Sequence, residues 1–246
     1  ALNAAPAVAA PSLVKQYVEL TKFRLSTFVV LTAMVGFVAA TNRITGIDWT
    51  ALLCTGVGVG FAAFSASAFN QIMERERDAR MSRTRLRPLP SGVMGVTHAW
   101  VVAAGLGVAG VLVLAVAVNL AAAGLAALNI LIYTLLYTPL KIRTTMNTLV
   151  GAVVGAIPPM IGWVGASGGL SEGAWILGGL LFVWQLPHFL ALAWLYREDY
   201  RIGGYVMLPH RDPDGMLTSQ VALVSGLMLA LLALLSVLVG LAGWIF

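Results

Sequence analysis

Three oxygen-bearing side chains follow one another at helical spacing near residue 70. Asn70, Glu74 and Asp78 stand at i, i+4 and i+8, so a helix that continues through them places all three on one face. Two carboxylates at this spacing repel each other unless a cation lies between them. Amide and carboxylate oxygens are the ligands that a hard cation such as Mg2+ prefers. The stripe therefore predicts a Mg2+ site at the end of a helix.

Arginines surround this stripe. Residues 70–90 contain six of the fifteen Lys and Arg residues of the chain. Mg2+ that is held by few protein ligands completes its shell with water and with phosphate oxygens of a substrate, and arginines bind the same oxygens. These residues are typical of a site for a phosphate-bearing substrate. They are equally compatible with a solvated basic loop that only sets the orientation of a membrane protein.

The elements that must position these groups are membrane helices. Of the 246 residues, 59% are hydrophobic and only 10% are charged, which is typical of an integral membrane protein. The single cysteine, Cys54, lies in an apolar run, which excludes an intrachain disulfide and a cysteine metal site. Seven apolar segments are long enough to span a membrane: Leu25–Thr41, Thr50–Phe69, Ala99–Val118, Leu120–Tyr137, Leu149–Ala166, Ala174–Leu195 and Leu217–Phe246.

The charges indicate the orientation of these segments. Fourteen of the fifteen basic residues fall on one side, and only Arg43 falls on the other. The positive-inside rule makes the basic side cytoplasmic, or the matrix side in a mitochondrion. The basic charge therefore needs no nucleic-acid partner. The Ala/Pro-rich start predicts a disordered tail over residues 1–14 and not a targeting presequence, so we expect a bacterial plasma membrane with the polar loops in the cytoplasm.

Two further polar loops lie on the same side as the stripe. Lys141 and Arg143 follow the fourth segment, where they could bind anionic lipid headgroups or a diphosphate. Glu198 and Asp199 follow the sixth segment and form a second carboxylate cluster. His210, Asp212 and Asp214, further along the chain, are interpreted as a solvated loop.

Polar residues also occur inside the sixth segment. Gln185 and His188 lie in an apolar span, and polar side chains within a membrane generally face the bundle interior. On its spacing alone, His188 could be a hydrogen-bonded interior histidine, a proton carrier or a group that contacts haem.

Three longer motifs resemble those of the UbiA-type intramembrane prenyltransferase superfamily, and within it those of the protohaem IX farnesyltransferases (haem O synthases). They are residues 70–92, NQIMERERDARMSRTRLRPLPSG, residues 137–163, YTPLKIRTTMNTLVGAVVGAIPPMIGW, and residues 182–209, FVWQLPHFLALAWLYREDYRIGGYVMLP. The resemblance implies an all-α transmembrane bundle forming a single domain over residues 15–246. It also implies farnesyl transfer from farnesyl diphosphate to a vinyl group of haem b, with addition of water, for the biogenesis of haem-copper oxidases.

The resemblance also implies roles for particular residues. Mg2+ is expected on Asn70, Glu74, Asp78, Glu198 and Asp199. Diphosphate is expected on Arg83, Arg87, Lys141 and Arg143. The residues expected to act in catalysis are Asn70, Glu74, Asp78, Lys141 and Asp199. Haem contacts are expected from Trp184, Gln185 and His188. Implied partners are farnesyl diphosphate, haem b, membrane lipid and a downstream haem A synthase.

Two departures from the superfamily pattern stand out. The superfamily commonly has a second aspartate four residues after the one at Asp199, where this chain has Gly203. It also normally has nine membrane helices, so the resemblance implies that two C-terminal helices are missing here. Two other interpretations remain open, a superfamily enzyme that prenylates a quinone precursor or another aromatic acceptor, and a membrane transporter.

Overall fold

A computed structural model describes residues 12–41, 46–240 and 242–243. Within these ranges the regular elements are helices, and no strand occurs. The short helices are α1 (Leu13–Leu20), α6 (Thr138–Leu140) and α9 (Arg197–Ile202). The long ones are α2 (Phe23–Ala40), α3 (Trp49–Asp78), α4 (Val96–Ala117), α5 (Leu120–Leu131), α7 (Asn147–Ser167), α8 (Glu172–Leu195) and α10 (Met216–Leu238). A π-helical turn, Ile132–Tyr137, joins α5 to α6.

Seven stretches of helix are long and apolar enough to cross a membrane, if α5, the π-turn and α6 are counted as one. The predicted all-α, seven-span architecture is therefore confirmed for the described part of the chain. The second span extends further than its apolar run, because α3 continues to Asp78, nine residues beyond Phe69. This extension carries Asn70, Glu74 and Asp78 on one helix, as their spacing predicts.

Two smaller predictions concern the N-terminal tail and the loop before α10. Of the predicted tail, residues 1–11 lie outside the described residues, as does Arg43, and α1 begins at Leu13. The interpretation of Asp212 as part of a solvated loop is wrong. Its side chain is buried, and Oδ2 accepts a hydrogen bond of 2.7 Å from the backbone N–H of Thr218. This bond lowers the pKa of the Asp212 carboxyl and satisfies an N–H in the first turn of α10.

Two glycines let α2 and α7 approach until their backbones touch. A Cβ atom on Gly36 would overlap the carbonyl oxygen of Pro159, and one on Gly162 would overlap the carbonyl oxygen of Ala33. Because membrane helices gain little from hydrophobic burial against each other, close backbone packing of this kind is a main source of their association. The two helices therefore form a closely packed pair within the bundle.

Gly162 is expected to be intolerant of even one extra methyl group. Gly162→Ala should lower the free energy of unfolding by about 3 kcal/mol, because the new Cβ meets backbone that cannot rotate away. Gly105→Ala is the matched control, since Gly105 lies within α4 with open space around its Cβ position. Denaturation in mixed detergent micelles would measure both. Equal stability of the two variants would contradict the role given to this contact.

The π-turn shapes the approach to the next polar loop. Such turns replace i→i+4 hydrogen bonds by i→i+5 bonds, and here the carbonyl of Tyr133 accepts from the backbone N–H of Thr138 and from its hydroxyl, the latter at 2.9 Å. The turn also brings the rings of Tyr133 and Tyr137 into an edge-to-face contact, with centroids 5.2 Å apart. One turn later the chain reaches Lys141.

Candidate diphosphate and metal site

The three residues of the stripe are buried at the end of α3. Asn70 is 0% exposed, Glu74 6% and Asp78 1%. An ionised carboxylate removed from water is strongly unfavourable unless a cation or several hydrogen-bond donors compensate it. The neighbours of these side chains therefore decide what the site can do.

Each oxygen ligand of the stripe is paired with a cation from a different part of the chain. The pairs are Lys22 Nζ with Asn70 Oδ1 at 2.6 Å, Lys141 Nζ with Glu74 Oε1 at 2.9 Å, and Arg87 Nη1 with Asp78 Oδ2 at 2.7 Å. The amide nitrogen of Asn70 also donates to the hydroxyl of Thr138 at 3.1 Å. Three segments of the chain thus converge on the last two turns of α3.

Lys22 is the site residue that sequence reasoning missed. It precedes the first membrane span and was counted only among the charges that set topology. Burial, together with repulsion from Lys141, lowers its pKa to about 7, against the attraction of Glu74. The sequence carried no signal for its role, because its position depends on how the chain turns between α1 and α2.

Lys141 lies in a cage of aromatic rings. Its ammonium nitrogen is 4.6 Å from the centroid of the Tyr137 ring and 5.9 Å from that of Tyr205. Burial works against the charged amine, but the Glu74 carboxylate outweighs burial and raises the pKa of Lys141 well above its usual value. Gly151 leaves room for the cage, since a Cβ there would lie 2.7 Å from the Tyr137 ring. The cage holds the Lys141 ammonium facing the stripe.

Of the two carboxylates in the second cluster, Asp199 lies at the same end of the bundle as the stripe. The Ser82 hydroxyl donates to Asp199 Oδ1 at 3.3 Å, and Arg83 Nε lies 3.9 Å from Asp199 Oδ2. Arg77 fixes the two loops together by donating to the carbonyls of Gly203, at 3.1 Å, and Gly204, at 3.4 Å. The loops after α3 and α8, distant in sequence, therefore meet.

Two predicted site residues are not brought into this arrangement. Glu198 forms an exposed pair with Arg201, with bonds of 2.9 and 2.6 Å that lower the pKa of the Glu198 carboxyl. Arg143 is exposed. The predicted metal role of Glu198 and diphosphate role of Arg143 would each require the side chain to move.

Gly203, which stands where the superfamily commonly has a second aspartate, is explained by the packing around it. A Cβ on Gly203 would lie 2.9 Å from the sulfur of Met81 and 2.9 Å from the ring of Tyr205. Both neighbours are buried, so an aspartate has no space here without moving the loop. The second cluster therefore offers Asp199 as its carboxylate on this side.

The donor set suits a hard divalent cation that is shared with a substrate. In the described residues, no three His, Cys, Asp or Glu side chains are gathered closely enough to hold a metal ion between them. Asn70, Glu74 and Asp78 nevertheless offer buried oxygen atoms along one face. Few protein ligands, completed by phosphate oxygens and water, are the usual arrangement for Mg2+. Metal binding here stays a prediction.

The predicted haem contacts fall on two faces of α8. The rings of Trp184 and His188 stack with centroids 5.4 Å apart, and both side chains are exposed. Gln185 is buried on another face, where its amide lies against Gly155 and donates to the carbonyl of Leu181 at 2.8 Å. Trp184 and His188 thus form a pair, and Gln185 helps to pack α8 on α7.

Comparison with known proteins decides the family. The UbiA prenyltransferase family profile matches residues 29–246. The chain belongs to the UbiA prenyltransferase family. UbiA proteins named protoheme IX farnesyltransferase are similar along most of the chain. The protein from Solibacter usitatus is 40% identical over 94% of this chain and 82% of its own length. The mitochondrial protein of Arabidopsis thaliana is 47% identical over 84% of this chain and 48% of its own length. The mitochondrial protein of Homo sapiens is 42% identical over 93% of this chain and 50% of its own length. The chain thus spans about half of each mitochondrial protein.

Solved structures show the same UbiA fold. An apo UbiA homologue from Aeropyrum pernix K1 has a TM-score of 0.76 at 20% identity, covering 89% of this chain and 81% of its own. A UbiA homologue from Archaeoglobus fulgidus bound to DMAPP and Mg2+ has a TM-score of 0.68 at 14% identity, covering 92% and 87%. The resemblance predicted from the motifs, to the superfamily and to its protohaem IX farnesyltransferases, is confirmed.

Proposed function

We propose that this membrane protein transfers the farnesyl group of farnesyl diphosphate to a vinyl group of protohaem IX, with addition of water, to give haem O and diphosphate. The observation that carries the proposal is the buried stripe of α3, in which each oxygen ligand faces its own cation. The names of the similar UbiA proteins support the choice of donor and acceptor.

The cations of the site are suited to the diphosphate of the donor. Lys22, Lys141 and Arg87 already lie within hydrogen-bond distance of oxygen atoms, and phosphate oxygens are equivalent acceptors. Arg83 adds a fourth cation at the rim, where Asp199 and the Tyr196 ring hold it. Mg2+ on Asn70, Glu74, Asp78 and Asp199 would neutralise charge on the departing diphosphate. Opposite charges fixed before the reaction favour departure of the leaving group because no reorganisation is needed.

The chemistry that follows needs an environment without water. When the allylic C–O bond breaks, the electron pair leaves with diphosphate and a farnesyl cation remains. Below the stripe, Val59, Ala62 and Ala66 of α3 line a small cavity with Ala126 and Ile161, all buried and apolar, and Asn129 is the polar residue of the lining. Such a lining delays attack by water, and the rings near Lys141 offer electron-rich faces.

The bond-forming steps require no nucleophile from the protein. The terminal carbon of the haem vinyl group donates its π electrons to C1 of farnesyl, and the positive charge passes to the carbon attached to the porphyrin. Water then bonds to that carbon and loses a proton, which leaves a hydroxyl group. The protein orients the two substrates and controls when water enters.

The acceptor side is expected to involve the stacked pair on α8. His188→Ala should weaken haem binding about tenfold, the loss of one well-placed contact, and should leave the affinity for farnesyl diphosphate unchanged. Trp175→Ala is the control, since Trp175 is an exposed aromatic residue near the other end of α8. Absorbance titration with haem b would measure both variants. A His188→Ala protein that binds and farnesylates haem normally would exclude this role.

The reaction is tested with purified protein in detergent supplied with farnesyl diphosphate, Mg2+, haem b and an equal amount of a quinone precursor such as 4-hydroxybenzoate. Mass spectrometry should find haem that has gained one farnesyl group and one hydroxyl group, and EDTA should abolish the product. Prenylated hydroxybenzoate without modified haem would establish the other acceptor class. Farnesyl diphosphate that fails to bind in the presence of Mg2+ would refute the prenyltransferase assignment of the site.

The proposed location of the protein is supported by its spans and charges. The seven candidate spans and the UbiA family make it an integral membrane protein. By the positive-inside rule we place the end that carries the stripe, Lys141 and Asp199 in the cytoplasm of a bacterial cell.

A further inference from the structure

Gln71 stands next to the stripe but performs a different task. It is 0% exposed, and its amide nitrogen donates to the carbonyls of Glu19, at 2.5 Å, and Leu20, at 2.9 Å. These are the last two carbonyls of α1, whose helix offers them no i+4 partner; the carbonyl of Glu19 also accepts from the backbone N–H of Lys22 at 3.2 Å. The side chain of Gln71 therefore caps α1 from α3. Its own oxygen is buried without a hydrogen-bond partner, so the amide is held by these two donated bonds alone.

The segment that Gln71 holds leads directly into the site. Lys22 has φ 47° and ψ 48°, a left-handed conformation, and in the described ranges it is the single non-glycine residue with positive φ. A residue with a Cβ seldom adopts this conformation unless its surroundings impose it. On one side of this joint Leu20 is fully buried against α3, and on the other side Ser26 donates to the carbonyl of Thr21 at 2.9 Å. The turn sends the Lys22 ammonium to Asn70 at 2.6 Å.

We propose that Gln71 is a positioning residue, which holds the joint between α1 and α2 so that Lys22 points at the anion of the substrate. The inference rests on the proposed function, since the anion is the diphosphate of the prenyl donor. Without the two bonds to α1, the joint relaxes to an ordinary right-handed conformation and the amine swings away from Asn70. Gln71 then affects diphosphate through Lys22 and through no contact of its own.

A double-mutant cycle on diphosphate affinity tests this inference. Lys22→Met should weaken the binding of inorganic diphosphate, titrated calorimetrically with Mg2+, about tenfold, as expected for one lost charge-assisted contact. Gln71→Met should cause most of the same loss. The double variant should bind no more weakly than Lys22→Met, because Gln71 has nothing left to position. Losses that multiply in the double variant would overturn the proposal.

Two further variants separate positioning from general support of the fold. Ser65→Ala removes another buried bond from α3 to its surroundings, the 2.7 Å bond to the carbonyl of Ala103, and its effect should multiply with that of Lys22→Met. Gln71→Leu replaces Gln71→Met if the latter does not fold, since its apolar side chain also donates no hydrogen bond to the two carbonyls. A wild-type protein that does not bind diphosphate with Mg2+ would refute the proposed function as well. Additive losses with normal wild-type binding would refute the positioning role alone.

Discussion

Replacement of Lys141 by methionine is expected to lower kcat/KM for farnesyl diphosphate by about a thousandfold, the upper range for loss of one preorganised charge at a leaving group. The variant should also be less stable, by about 3 kcal/mol, because Glu74 keeps a buried negative charge without its partner. Product formation and denaturation in mixed micelles would measure the two losses on the same preparation. A Lys141→Met protein with normal activity would show that the cage does not hold the substrate.

A second substitution separates the two losses. In Glu74→Gln/Lys141→Met both buried charges are gone, so the stability should return close to that of the wild type while activity stays low. Lys15→Met is the control for the removal of a lysine, since Lys15 is exposed on α1. Its free energy of unfolding should stay within about 0.5 kcal/mol of that of the wild type, as is usual for surface substitutions. Its kcat/KM should be unchanged. Activity that recovers together with stability would mean that Lys141 acts only in folding.

Asp78→Asn is expected to lower kcat/KM at least a hundredfold at moderate Mg2+ concentration and to raise the Mg2+ concentration needed for half-maximal activity about tenfold. The amide is a weaker ligand for a hard cation than the carboxylate. Mutation of a residue that only orients a metal ligand already lowers metal affinity or activity roughly 10- to 100-fold. Initial rates across a Mg2+ series would show whether high metal concentration restores the variant.

The partner of Asp78 supplies the comparison that decides its role. Arg87→Met breaks the same 2.7 Å pair but removes no metal ligand, so it should lower activity without changing the Mg2+ requirement. Asp214→Asn removes an exposed carboxylate and should leave both quantities unchanged. If Asp78→Asn and Arg87→Met shift the Mg2+ requirement equally, Asp78 serves to hold Arg87 and not the metal.

The parts of the fold that follow from local spacing were predictable. Apolar runs long enough for a bilayer gave the seven spans, and the i, i+4, i+8 spacing gave the common face of Asn70, Glu74 and Asp78. The faces of α8 follow from the same geometry, since residues 184 and 188 share a side that residue 185 does not. Spacing was thus sufficient for residues that share one of these long helices.

Contacts that depend on turns were not predictable from the sequence. Glu198 and Asp199 are neighbours of equal chemistry, and only the short helix α9 determines that Asp199 faces Ser82 while Glu198 faces Arg201. Lys22 reaches Asn70 because of one left-handed residue. Asp212 is buried because a tight turn at Gly215 brings it over the start of α10. In each case a backbone angle, which composition does not encode, selects the partner.

The clustering of the charged groups at one end of the bundle has an electrical consequence. Lys22, Lys141, Arg87 and Asp199 all belong to helix ends or loops on the same side, and the buried side chains below them are uncharged. A diphosphate donor that arrives there, and the diphosphate that departs, would use one face of the membrane. No net charge then crosses the bilayer during a turnover. Moving one elementary charge across a membrane potential of 100 mV changes its free energy by about 2.3 kcal/mol. Because no such movement would occur here, the rate of prenyl transfer should be independent of the membrane potential.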